Sequence, residues 1–189
     1  MKIYMAGYDS SSLTPGQESR YQHVMGRRLL QTALSREGIQ MDISEDEKET
    51  EQFAYGPFGK PFLKELPDMH FNISHTKGLV VCAVGEAAVG IDAEKIKPYP
   101  RSVLRKMTEA ERAYIQLQCD VRQDEAFMRV WTMKEAMIKM TGKGLAAFSD
   151  TECVPGKMLS GMTCRQMLWQ GQYVITAIEK YACGLDGTL

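Results

Sequence analysis

Three histidines are all this 189-residue chain offers, and its five cysteines (Cys82, Cys119, Cys153, Cys164, Cys183) form no C-x-x-C pair. Neither a zinc site nor a disulfide framework is therefore written in the sequence; spread thiols in odd number read as small buried hydrophobes in a reducing cytoplasm. Long apolar runs are missing too. No stretch approaches the roughly 20 residues of a membrane span, and the N-terminal MKIYMAGYDS lacks the apolar core of a secretory signal. Charge of one sign is absent: Lys+Arg of 23 against Asp+Glu of 24 gives net charge −1, which offers nothing to a nucleic acid or a polyanionic surface. Any anion site must be local. Gly142-Lys143-Gly144 does not have the spacing of a phosphate-binding P-loop. The expectation is a soluble, cytoplasmic protein long enough to bury roughly 70% of its extended-chain surface.

What is there can be read in order. Lys2–Tyr8 alternates as a first strand, and the polar loop through Pro15 and Gly16 ends it. From Glu18 to about Arg36 the spacing of Tyr21, Val24, Met25, Leu29, Ala33 and Leu34 predicts a helix capped near Gly38, carrying Arg20, His23, Arg27 and Arg28. Met41–Gln52 is acidic and reads as a solvated connection or exposed helix. Glycines and prolines break the chain between Tyr55 and Phe62, with Lys60 between Gly59 and Pro61. His70–Ser74 and Leu79–Val84 predict two strands joined by a polar turn. Val89–Glu94 predicts another, in which the period of two sets Asp92 and Glu94 on one face, separated by roughly 7 Å of backbone. Such a pair repels itself unless a cation or solvent lies between.

Ser102–Met107 predicts a short helix, and Thr108-Glu109-Ala110-Glu111 is a capping box that starts the next one. Asp120–Asp124 reads as a polar turn. A central helix then runs from about Glu125 to Met140, with Phe127, Val130, Trp131, Met137 and Ile138 as its buried stripe and Gly142 as its stop. Strands follow over Gly161–Leu168 and Gln172–Ile178. Strand, helix, strands, then strand, helices, strands reads as two similar α+β halves.

Glu135 and Lys139, four apart, share a face of the central helix, where an ordinary ion pair is the plain expectation. Asp92, Glu94 and Glu135 together supply the hard oxygen ligands that Mg²⁺ selects. His75, Lys77, Lys60, Arg27 and Arg28 are donors of the kind that hold phosphates, each set against the simpler reading of a solvated surface charge. Ser74-His75 could be a hydrolase pair, but a serine next to its own base in sequence points away from it and no elbow glycines surround it, so that reading stands well below anion binding. The residues alone reach phosphoryl chemistry on a nucleotide-like substrate, without naming the acceptor.

The ordered set Gly59-Lys60-Pro61, Phe71-Asn72-Ile73-Ser74-His75, Gly90-Ile91-Asp92-Ala93-Glu94 and Trp131-Thr132-Met133-Lys134-Glu135-Ala136-Met137-Ile138-Lys139, followed by Gly142-Lys143-Gly144-Leu145, resembles the 4′-phosphopantetheinyl transferases of the two-lobed Sfp type. The resemblance runs from the Arg27-Arg28-Leu29-Leu30 helix to Leu145. It implies a pseudo-dimer of two similar α+β lobes, residues 1–87 and 88–189, with coenzyme A in the cleft between them and the metal site on the second lobe. Asp92, Glu94 and Glu135 would hold Mg²⁺; Lys139 would meet the phosphates or assist the leaving group. Ser74 and His75 would take the 3′-phosphoadenosine end, with Lys60, Arg27 and Arg28 nearby. The acceptor would be a serine of an acyl or peptidyl carrier protein, with Glu135 chosen to take its proton and 3′,5′-ADP released. Ala93, between the two acids, should face the core. The carrier would meet Lys97–Met107, where Arg101, Arg105 and Lys106 suit an acidic helix. The enzyme would act as a monomer; the alternatives are a coenzyme A or nucleotide-binding module without transfer, and a scaffold whose charges are all solvated.

Overall fold

The computed structural model of the chain describes residues 1–46 and 51–181. Its elements are β1 (Lys2–Gly7), α1 (Pro15–Arg36), β2 (Phe53–Tyr55), β3 (Pro61–Leu63), β4 (His70–Thr76), β5 (Leu79–Gly85), β6 (Val89–Lys95), a 3₁₀ turn (Arg101–Lys106), α2 (Glu109–Gln116), α3 (Asp120–Thr141), β7 (Met162–Trp169) and β8 (Tyr173–Lys180). This is an α+β mixture. Apart from the small β2–β3 hairpin, the strands form two antiparallel sheets of like order, β1-β5-β4 and β6-β8-β7. In each, the strand that comes last in the chain lies in the middle.

Alternation decides the layers. On β5, Val80, Cys82 and Val84 face Leu29, Leu30, Ala33 and Leu34 of α1. The other face, Leu79, Val81 and Ala83, packs on Val89, Ile91 and Ala93 of β6 and on Ile175 and Ala177 of β8. Beyond that sheet, Val174 and Ile178 of β8 meet α3. Helix, sheet, sheet and helix are stacked in that order. A strand covered on both sides has no polar face to show, which is why Leu79–Val84 is an unbroken apolar run.

Local signals set the helix ends. Thr14 and Gln17 form a capping box that starts α1 at Pro15, a turn before the expected Glu18. Thr108 and Glu111 cap α2 as the sequence predicts, and Gly142 stops α3 in the left-handed region at φ 65. The expected turn at Asp120–Asp124 is instead the first turn of α3. Its polar residues are the solvated start of a helix, and Asp120 at that end suits the helix dipole. Ser102–Met107 is a 3₁₀ turn rather than a helix, and the break around Gly56–Gly59 closes the unexpected β2–β3 hairpin, with Gly59 at φ 82.

Cys82 and Cys153 are buried as expected, but Cys119 and Cys164 are exposed. Cys119 precedes α3 and Cys164 lies on β7, the outer strand of its sheet. Cys183 and the acidic residues Glu47 and Glu49 lie outside the described residues. Among those described, no helix is long and apolar enough to cross a membrane.

Candidate active site

β4 and β6 belong to different sheets, and side chains stitch them together. Asn72 Oδ1 accepts from the Ile91 amide at 2.8 Å, Ser74 Oγ donates to Asp92 Oδ1 at 2.8 Å, and Thr76 Oγ1 donates to Glu94 Oε2 at 3.4 Å. Numbers rise together on both strands, so the two run in the same direction. The period of two that aligns Asp92 with Glu94 also aligns Ser74 with Thr76, and each acid meets a hydroxyl. Between the acids Ala93 is 1% exposed, on the core face where it was expected.

The third side comes from α3. A Cβ on Gly90 would lie 2.0 Å from the Ala136 carbonyl oxygen and 2.4 Å from the Met140 amide nitrogen, so only glycine lets helix and strand approach this closely. Two further contacts fix the helix. Thr132 Oγ1 lies 2.7 Å from Thr176 Oγ1 on β8, and Lys134, fully buried, donates to both carboxylate oxygens of Glu111 on α2 at 2.8 and 2.9 Å and to the Thr151 carbonyl. Glu111 in turn accepts from the amides of Cys153 and Thr108.

Held this way, α3 brings Glu135 and Lys139 to Asp92. The Lys139 ammonium lies 2.6 Å from Asp92 Oδ1 and 3.0 Å from Ser74 Oγ. The expected i,i+4 pair with Glu135 is not among the ion pairs formed by the described residues; Lys139 reaches past that acid to the buried one. Burial raises the pKa of both Glu94 and Glu135, and in each case the negative charge of Asp92 raises it further.

Whether this cluster suits a cation can be asked of its atoms. Asp92 Oδ2 is buried and has no hydrogen-bond partner, while Oδ1 is served twice. One ammonium balances one of three carboxylates, and the remaining charge matches a divalent cation; an all-oxygen donor set is what Mg²⁺ prefers. As the side chains stand, however, no three histidine, cysteine, aspartate or glutamate groups among the described residues are gathered tightly enough to hold an ion. The expectation that Glu135 approaches Asp92 and Glu94 closely enough to share one ion is not met in this arrangement, in which Asp92 is paired with Lys139. The chemistry of the donors fits.

The residues expected to hold phosphates divide. His75 borders the cluster, its pKa lowered by its surroundings and then by the charges of Lys139 and His23. With Arg27, His23, Phe53 and Tyr55 it lines a cavity of about 240 Å³. Arg27 is 6% exposed; its guanidinium donates to His23 Nε2 and the Ser44 carbonyl and lies over the Phe53 ring. Ser74 is buried on Asp92 rather than facing that cavity. Arg28 is at the surface in a bidentate pair with Glu45. Lys60 donates to the carbonyls of Val89 and Met140, joining the hairpin to the start of β6 and the end of α3. Thr76 and His23 were not singled out as site residues. Thr76 was findable, since it follows Ser74 at the strand period; His23 was visible only as one more positive group on α1.

Comparison with known proteins follows the same lines. Residues 88–184 match the profile of the 4′-phosphopantetheinyl transferase superfamily. A 4′-phosphopantetheinyl transferase of Bacillus subtilis is 40% identical over 100 residues, covering 52% of this chain and 45% of its own length. The 4′-phosphopantetheinyl transferase Sfp of Bacillus subtilis strain 168 is 34% identical over 135 residues, covering 71% and 58%. One from Bacillus pumilus is 44% identical over 89 residues, covering 47% and 38%. The chain thus spans about half the length of the relatives it matches. With the matched profile covering β6, α3 and the strands that support them, the chain belongs to the 4′-phosphopantetheinyl transferase superfamily.

Proposed function

We propose that the chain transfers the 4′-phosphopantetheine group of coenzyme A to a serine of an acyl or peptidyl carrier protein and releases 3′,5′-ADP. One observation carries the reading: Asp92, Glu94, Glu135 and Lys139 converge on a single seam, with an unpartnered carboxylate oxygen among them. Such a group of acids beside one ammonium is suited to a metal-bound pyrophosphate. We read the two sheets of like order as two lobes, residues 1–87 and 88–189, with the substrate in the cleft at their seam.

Asp92, Glu94 and Glu135 would hold Mg²⁺, which when bound supplies positive charge to the pyrophosphate oxygens. Lys139 contacts the same phosphates and stabilises the charge that accumulates on the leaving group. Glu135 accepts the proton of the carrier serine, whose oxygen bonds to the phosphorus bearing the pantetheine arm. The bond from that phosphorus to the bridging oxygen breaks, and its electron pair leaves with 3′,5′-ADP. His75, Arg27 and the cavity they line take the 3′-phosphoadenosine end. Arg101, Arg105 and Lys106, on the 3₁₀ turn after β6, meet the acidic carrier. The protein works as a monomer.

The test is direct. Purified protein with coenzyme A, Mg²⁺ and an apo-carrier protein should give a carrier heavier by one phosphopantetheine in intact-mass spectra. Asp92→Ala should abolish that shift while leaving the protein folded. No shift with several unrelated carriers, despite coenzyme A raising the melting temperature, would replace transfer with simple binding.

A further inference from the structure

We propose that Lys139 is a resident counter-ion: it neutralises Asp92 in the free protein and competes with the divalent cation for that carboxylate. The proposal rests on the metal reading above. Lys139 Nζ and Ser74 Oγ both reach Asp92 Oδ1, at 2.6 and 2.8 Å, while Oδ2 of the same carboxylate is buried without a partner. The choice of acid is informative. Glu135 stands one helical turn before Lys139, where a lysine commonly pairs, yet the ammonium goes to Asp92.

Burial explains the preference. Asp92 is 4% exposed, whereas Glu135 is only half-buried and keeps contact with solvent, so the counter-charge relieves Asp92 most. Lys139 keeps a way out, since its side chain is 29% exposed and its four-carbon stem is flexible. While it remains, its positive charge offsets that of Asp92 and repels a cation, and Oδ1 is occupied by two donors. Once it moves, the negative charge of Asp92 is no longer offset and the ammonium is free for a phosphate oxygen. Lys139 therefore guards the carboxylate in the free protein and serves the substrate afterwards. Ser74, bonded to both groups, keeps Asp92 in place during the exchange.

The experiment measures Mn²⁺ binding, followed by the loss of the free-ion signal in electron paramagnetic resonance, without coenzyme A or carrier. Removing the competing charge with Lys139→Met should tighten Mn²⁺ binding roughly tenfold, and Lys139→Arg, which keeps it, should stay near the wild type. In EDTA, Lys139→Met should melt lower than the wild type and gain more from added Mn²⁺. A lysine that only supports the fold would lower the melting temperature without tightening Mn²⁺. Equal or weaker binding by folded Lys139→Met overturns the counter-ion proposal alone. No Mn²⁺ binding by either protein overturns it together with the metal reading.

Discussion

Lys60 and Lys134 are two ammonium groups that the fold draws away from water by different means. Lys134 meets a carboxylate, but the bonds that Lys60 makes go to two neutral carbonyls, and burial lowers its pKa from 10.5 to about 8. A neutral amine still has two protons for those two carbonyls, so its bonds survive deprotonation. Between about pH 8 and 10.5 the unfolded chain holds a proton there that the folded protein has released, so rising pH favours the fold. The buried thiols of Cys82 and Cys153, pushed up to about 12, act in the opposite sense, since the folded protein keeps protons that the unfolded chain loses. The informative quantity is therefore a difference. The stability of the wild type relative to Lys60→Met, from urea midpoints, should rise from pH 7.5 to 10; a flat difference would mean that burial does not govern this lysine.

Among the elements, α3 is tied to α2 by a buried pair that no local sequence pattern announces. Lys134 and Glu111 are both 0% exposed and 23 residues apart, and together they join α2, α3 and the segment through Cys153. Lys134→Met strands a buried carboxylate and should cost about 3–5 kcal/mol in urea unfolding. Adding Glu111→Gln should recover part of that, because the amide oxygen still accepts from Cys153 while the charge is gone. None of this was legible beforehand: in a helix of mixed residues Lys134 looks like any surface lysine, and spacing says nothing of a partner on another helix. What was legible is local. The strand period aligned Asp92 with Glu94, the capping box began α2, and Gly142 ended α3, because each signal acts within a turn or two of chain. The same locality misled at Asp120–Asp124, where polar residues suit a turn and the solvated start of a helix equally. It also predicted the Glu135–Lys139 pair that Asp92, 47 residues from Lys139, displaces.

At the scale of the whole molecule, an α+β mixture could be read from the order of elements, but not the layering. Alternation reports which face of a strand is apolar and not what covers it. The close approach of β6 to α3 is where layering and site coincide. Gly90→Ala would drive a methyl group into backbone atoms of Ala136 and Met140, which cannot rotate aside. It should cost about 1–3 kcal/mol in urea unfolding and, by moving Asp92 and Glu94 on β6 away from Glu135 on α3, depress carrier modification by more than the stability loss explains. The inner faces of the two sheets have a further consequence. β5 ends at Gly85 and β6 begins at Val89, and Leu79, Val81, Val89, Ile91 and Ile175 between the sheets are all 0% exposed. Parting the two sheets would wet that interior at about 1.5–3 kcal/mol for each such side chain. Among the described residues the two sheets are thus held together by their own interior, and on the proposed function a ligand would be met by movement of side chains such as Lys139 rather than by parting the sheets.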